Sequence, residues 1–140
     1  MNQIQPNPLW IGHMGEGRDF RNLFDLGIKA VVELAMEEQP LQPPRELISC
    51  RFPLLDGAGN RAELLFLAVS TVASLLKMRI PTLLCCSAGG SRSPAVAAAA
   101  LAMIHHEPPE ECLERVVEQH ASDVSPGFWD EVTRLLPSVR

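Results

Sequence analysis

The sequence predicts a three-layer α/β domain, with a central, mostly parallel sheet of four to five strands flanked by helices. Two patterns carry this. Short apolar runs at 9–11, 28–34, 47–54 and 82–85 alternate with helical stretches at 20–26, 61–77, 94–104, 110–120 and 129–136, as strands and helices do in an α/β sheet. In the fourth run, a buried strand (Leu83, Leu84, Cys85, with Thr82 at its edge) passes through a turn of small residues into an alanine-rich helix. In open α/β sheets ligands bind beyond the carboxyl ends of the strands, and this junction is such a place. At 140 residues and 46% hydrophobic, the chain suits one domain with a core of its own.

Taken in order, residues 1–8 read as a polar, proline-rich lead-in without the pattern of a signal peptide. Leu9–Ile11 is a first strand closed by Gly12, with His13 in the loop after it, and residues 15–18 form a turn. Asp19 caps a short helix, Phe20–Leu26, whose apolar side is Phe20, Leu23 and Phe24, and Gly27 ends it. Ile28–Leu34 is a second strand, β-branched at its centre. Residues 35–45 form a loop in which Glu37 and Glu38 read as solvated charges. Leu47–Leu54 is a third strand containing Cys50, read as packing, with a resolving thiol for Cys86 as the alternative. Asp56 follows in the run LLDGAGN, whose glycines read as a mobile loop. Asn60 and Glu63 have the spacing of a capping box, opening a helix that runs to Lys77 with Leu65, Val69, Val72, Ala73 and Leu76 on one stripe. Beyond the alanine-rich helix, His105, His106 and Glu107 read as a polar helix end, and Pro108-Pro109 break the chain. Two further helices close it: 110–120, with Cys112, Leu113, Val116 and Val117 inward, and a last one after Ser125-Pro126-Gly127.

Composition excludes several classes. The net charge of −5 and the lack of a basic cluster disfavour nucleic acid or an acidic membrane surface as the main partner. The longest apolar stretch, Ala95–Ile104, is too short to span a bilayer. The four cysteines have no zinc-ligand spacing and, with Cys85 and Cys86 adjacent, no disulfide framework, so a reducing cytoplasm is the expected setting and no metal is expected.

The chemistry concentrates at residues 86–94. Cys86 ends the strand, and Ser87, Ala88, Gly89, Gly90 and Ser91 form a loop whose amides can turn inward into an anion-binding concavity. The following helix adds the positive end of its dipole, with Pro94 suited to its first turn. Arg92 adds a planar cation able to hold two oxyanion oxygens. A thiol at the mouth of such a cradle is poised to ionise and attack a tetrahedral phosphorus. Asp56, upstream on its glycine loop, is either a proton donor for the leaving oxygen or a turn former.

The run Cys86–Ser93, CSAGGSRS, resembles the signature loop of the cysteine-based protein phosphatases, the dual-specificity branch in particular, whose pattern is His-Cys-x5-Arg-Ser/Thr. The resemblance implies a metal-free, cofactor-free hydrolase of phosphomonoesters acting through a phosphocysteine, on a phosphorylated protein or a small phosphomonoester. It assigns Cys86 as nucleophile, Arg92 as phosphate-binding arginine, Ser93 as the hydroxyl that helps expel the thiolate, residues 87–92 as the phosphate cradle, and Asp56 as general acid. The helix, Pro and Gly-Phe order of 110–128 is similar too. Two departures stand out. The family histidine before the nucleophile is Cys85 here, and the family arginine near 120 is missing, with His120 in its place. A rhodanese-like sulfurtransferase, a phosphate-gripping module without turnover, and the same chemistry on a lipid or RNA phosphate are the rival expectations.

Overall fold

The computed structural model describes residues 1–137. Five strands, β1 (Asn2–Gln3), β2 (Leu9–His13), β3 (Ala30–Ala35), β4 (Ile48–Leu54) and β5 (Thr82–Cys86), form one sheet in the order β1-β2-β5-β3-β4. β2, β5, β3 and β4 run parallel, and only β1 is antiparallel, on β2. The sheet is therefore mostly parallel, with the nucleophile's strand at its centre, as the sequence predicts. β1 is the strand that the polar lead-in conceals: two residues carry no alternation to read.

Side-chain alternation along the strands sorts the core into two clusters. Val32, Leu84 and Cys86 join the larger one, filled by α3 (Ala62–Lys77), α4 (Arg92–His105), α5 (Pro109–Gln119) and α6 (Pro126–Thr133). Val31, Leu83 and Cys85 join a smaller one under α1 (Met14–Gly17) and α2 (Phe20–Asp25). Adjacent cysteines thus face opposite layers.

α4 is the central helix, and every residue from Arg92 to Ala102 is buried. Alanine has the best helix propensity and loses no side-chain entropy, and its short side chain lets neighbours approach on all sides. In α3 the apolar stripe is as the spacing predicts, with Leu65, Val69, Val72 and Leu76 buried; each such aliphatic contributes roughly 1.5–3 kcal/mol of transfer free energy before entropy is charged.

Several local expectations are corrected. Residues 14–17 form a helical turn capped by His13, which accepts from the Glu16 amide. α2 buries only Leu23, leaving Phe24 exposed, and on α5 Val117 is also exposed. α4 begins at Arg92, so Pro94 is its third residue; the first turn needs no amide donors, and proline costs nothing there. α6 ends at Thr133, short of Leu136. Arg61, not Asn60, caps α3, with no side-chain cap bond. Asn60 turns back instead, accepting from the Leu55 amide at 2.8 Å and donating to the carbonyls of Leu55 and Gly57 at 3.0 and 3.3 Å. Among the described residues, no helix is long and apolar enough to cross a membrane.

Candidate functional site

Cys86 is the last residue of β5 and lies 2% exposed at the sheet's carboxyl edge. The five residues after it form the predicted loop. Its carbonyls are drawn outward. Ser87 O accepts from the Met14 amide at 3.4 Å, Gly90 O from the Asp123 amide at 2.7 Å, Ser91 O from the Ala95 amide at 3.2 Å, and Gly89 O meets His120 Nε2 at 2.7 Å. Among the described residues, none of the amides from Ser87 to Arg92 donates to a protein acceptor. A loop in which four of five carbonyls, those of Ser87, Gly89, Gly90 and Ser91, are occupied while its amides are left without protein acceptors has the donors of an anion cradle.

Gly89 is required for this shape. Its φ is +79°, and a Cβ there would lie 2.8 Å from the Gly12 carbonyl oxygen. Gly90 has open space around it.

Arg92 starts α4 and is 3% exposed. Its Nη1 donates to Glu37 Oε1 at 2.7 Å and to Leu54 O at 2.8 Å, and its Nη2 donates to Glu37 Oε2. Its Nε–H has no partner, and neither has the buried Ser93 hydroxyl. Buried polar atoms are nearly always satisfied, so two orphans on consecutive residues of one cradle mark where a polar ligand fits. Arg92 holds the Glu37 carboxyl down at about 2 by direct hydrogen bonding. Glu37 keeps the solvent exposure that the sequence suggests, with its side chain 54% exposed, but it is not a free charge, since both its oxygens are engaged by Arg92. Glu38 accepts from the Ser87 hydroxyl at 2.7 Å and from Arg18 at 3.0 Å.

The loop carrying both glutamates is pinned from beneath. Glu33, 2% exposed on β3, accepts from Arg51 Nη1 at 2.7 Å and from the Leu41 amide. Arg51 Nη2 in turn donates to the carbonyls of Met36 and Glu38 at 3.3 and 3.1 Å. An ion pair between buried Glu33 and partly exposed Arg51 thereby braces the backbone that aims Glu37 at Arg92.

Asp56 stands at the other side. Its Oδ1 accepts from the Ser91 hydroxyl at 2.6 Å and from the Ser125 hydroxyl at 2.8 Å, and the Ser125 amide donates back to Ser91 Oγ at 2.9 Å. Glu131 Oε1 takes the Gly59 amide at 2.9 Å, and Asn60 closes the loop on itself. The loop read from its glycines as mobile is cross-tied, with its acid docked on the cradle.

The structure thus brings Cys86, Ser87–Ser91, Arg92, Ser93 and Asp56 to one edge. It adds Glu37, Ser125 and His120, which sequence reasoning missed. Their signals were weak: two acids after a strand, a serine before Pro126-Gly127, and a histidine where the resemblance expects arginine. His120 reaches Asn2 Oδ1 as well as Gly89 O, at 2.7 Å each. Cys85 sits on the opposite layer with its Sγ 3.5 Å from Met14 Sδ, and burial pushes its thiol far up. The redox pairing of Cys50 with Cys86 is corrected by register. Cys50 is level with Leu84 two strands away, so the Cα atoms are roughly 11–12 Å apart against a disulfide limit of about 7 Å. Among the described residues, no group of three or more His, Cys, Asp or Glu side chains is placed to hold a metal.

No family model and no curated relative matches the sequence. Solved structures do. Human DUSP28 superimposes with a TM-score of 0.84 at 20% identity, covering 96% of this chain and 94% of its own. A mouse putative dual specificity phosphatase, complexed with zinc tungstate, gives 0.83 at 21% identity over 96% and 84%. The human tyrosine phosphatase-like serine/threonine/tyrosine-interacting protein gives 0.78 at 18% identity over 96% and 93%. Strand order, cradle and likeness to solved structures converge: the chain has the fold of the dual-specificity phosphatases.

Proposed function

We propose that the protein is a cysteine-dependent phosphatase that hydrolyses phosphomonoesters, on protein side chains in particular, through a phosphocysteine. One observation carries the reading: around Cys86, the amides from Ser87 to Arg92, the Arg92 Nε–H and the Ser93 hydroxyl are all unpartnered at once. That is a set of donors waiting for tetrahedral oxyanion oxygens. The likeness to a mouse putative dual specificity phosphatase complexed with zinc tungstate, whose tungstate is a tetrahedral oxyanion, is in keeping with it.

In the first step the Cys86 thiolate attacks phosphorus, forming S–P as the P–O bond to the leaving group breaks. The cradle amides and Arg92 hold the equatorial oxygens, whose charge is spread in the transition state. Asp56 supplies the proton to the departing oxygen. Because Oδ1 is committed to two hydroxyl donors, Oδ2 is the oxygen that carries it. In the second step water adds to phosphorus, its proton passing to Asp56, and the thiolate leaves with support from Ser93. Glu37 orients Arg92 so that Nε faces the substrate side while the two terminal nitrogens are held.

The surroundings favour a single phosphate on an otherwise uncharged or cationic body. Of the nearby cations, Arg92 is matched by Glu37 and Arg18 by Glu38, while Asp56 and Asp123 have no ion pair among the described residues. Met36 and Leu55, next to Glu37 and Asp56, are 54% and 45% exposed and offer apolar shoulders. A polyphosphorylated lipid headgroup or RNA end would meet these acids with no spare cation.

The test is hydrolysis of p-nitrophenyl phosphate under reducing conditions with EDTA, wild type against Cys86→Ser. Turnover that disappears in the variant and is indifferent to EDTA supports the reading; turnover retained by Cys86→Ser sinks it. A second reading, a phosphate-gripping module, draws on Cys85 in place of histidine and on a neighbour named as an interacting protein. Phosphate binding without turnover by reduced, folded wild type would select it.

A further inference from the structure

We infer that the end of the molecule opposite the cradle carries a second binding site, for an anion borne on an apolar body. Where α3 and α4 end, they meet the 4–8 hairpin and the flank of α5 around a half-open cavity of about 750 Å³. That is the size of sites that take ligands of drug or cofactor dimensions. Its floor is apolar: Ile4, Leu76 and Leu101 are buried there, with Ile104 beside them.

The rim is cationic in a chain with only 12 Lys and Arg against 17 Asp and Glu. Lys77, Arg79 and Arg115, with the His105 imidazole beside them, line the cavity against one acid, Glu107. That acid is spent on Arg115, at 2.6 Å. Lys77 and Arg79 are in no ion pair among the described residues.

Lys77 sits in the last turn of α3, where a cation complements the helix dipole, so helix chemistry alone accounts for it. It does not account for Arg79, which lies beyond α3 at φ +58°. There the Arg79 amide donates to Leu76 O and the Ile80 amide to Leu75 O, a helix-terminating turn that glycine serves best. The equivalent turn after α2 has glycine, Gly27 at φ +78°, whereas α4 ends on a second non-glycine residue in this region, His106 at φ +55°, outside the cavity. What sets Arg79 apart is the combination: left-handed, without an ion pair among the described residues, and on the wall of an apolar cavity, where a ligand contact offsets the backbone cost. The fitting ligand class is a carboxylate or phosphate on a hydrocarbon or aromatic body, the head at Lys77 and Arg79 and the body on the Ile4, Leu76, Leu101 and Ile104 floor.

The experiment uses 15N-labelled protein titrated with dodecanoate, dodecyl phosphate and dodecyltrimethylammonium, each below its micellar concentration. The two anions should saturate, shifting amides confined to 4–8, 76–79, 101–107 and 115–119; which binds tighter distinguishes a carboxylate from a phosphate head. Arg79→Gly removes the cation and relieves the turn, so it should melt no lower than wild type while weakening dodecanoate by roughly tenfold, the loss of one charge-assisted hydrogen bond. Equal binding of the ammonium amphiphile, shifts spread over the whole chain, or an Arg79→Gly variant that binds dodecanoate like wild type would overturn the assignment.

Discussion

Two loops bring a carboxylate to the rim of the cradle, and they hold it by opposite means. The loop after β3 carries Glu37, gripped by a guanidinium at both oxygens and backed by the pair of buried Glu33 with Arg51. The loop after β4 carries Asp56, tied at one oxygen by two neutral hydroxyls. A carboxylate locked to arginine keeps its charge and gives no proton; one held by hydroxyls at a single oxygen leaves the other free to carry one. Sequence distance to the nucleophile does not separate the two carboxylates; their bonding is what the proposed assignment rests on.

That contrast can be broken in several ways. The largest effect is expected from Arg92→Ala, which removes the cation of the cradle and strands Glu37; kcat/KM for aryl phosphates should fall by about 10³–10⁵. Asp56→Asn should cost about 10²–10⁴ in kcat for substrates with alkoxide leaving groups and much less for p-nitrophenyl phosphate, whose leaving group hardly needs a proton. Glu37→Gln should lower activity by roughly 10–100-fold through misaligned Arg92, by the same factor for both substrate types. If Glu37→Gln and Asp56→Asn share one leaving-group dependence, the division of labour is wrong.

A smaller effect is thermodynamic. The folded state lowers the Glu37 carboxyl from its ordinary 4.5 to about 2. A depressed carboxyl contributes stability that is present above its unfolded value and is lost as pH falls through the folded one. The gap in melting temperature between wild type and Glu37→Gln should therefore be constant from neutral pH to about pH 5 and close between pH 4.5 and 2. A gap that persists at pH 2 would mean that Glu37 acts by packing. Smallest of all, Ser125→Ala should leave Asp56 tied by Ser91 alone and lower kcat only a fewfold.

How much of this the sequence carried depends on whether an effect is local. Cys86, Arg92 and Ser93 are legible because strand, small-residue turn and helix are consecutive, and the amide cradle follows from that order. The β3–β4 loop is not. Glu37 meets Arg92 across 55 residues, and the pairing depends on parallel strands whose register no periodicity specifies. Asn60 shows the converse error. Its spacing to Glu63 matches a capping box, but its amide satisfies the carbonyls of the Asp56 loop better than it would cap a helix. The glycines of that loop suggested freedom, yet long-range bonds to Ser91, Ser125 and Glu131 remove it. His120, where the resemblance expects an arginine, reaches the Gly89 carbonyl, a contact that joins positions 31 residues apart and that no local pattern announces.

The adjacent glycines of the cradle bear on how such loops are written down as search patterns. Gly89 lies against the Gly12 backbone at positive φ, whereas Gly90 faces open space. Only the first is dictated by geometry, and Gly90→Ala should be silent where Gly89→Ala is ruinous. A pattern for this loop therefore draws its selectivity from Cys-x-x-Gly-x-x-Arg; the second glycine adds nothing that geometry requires, and demanding a histidine in front would discard this chain, which has Cys85 there.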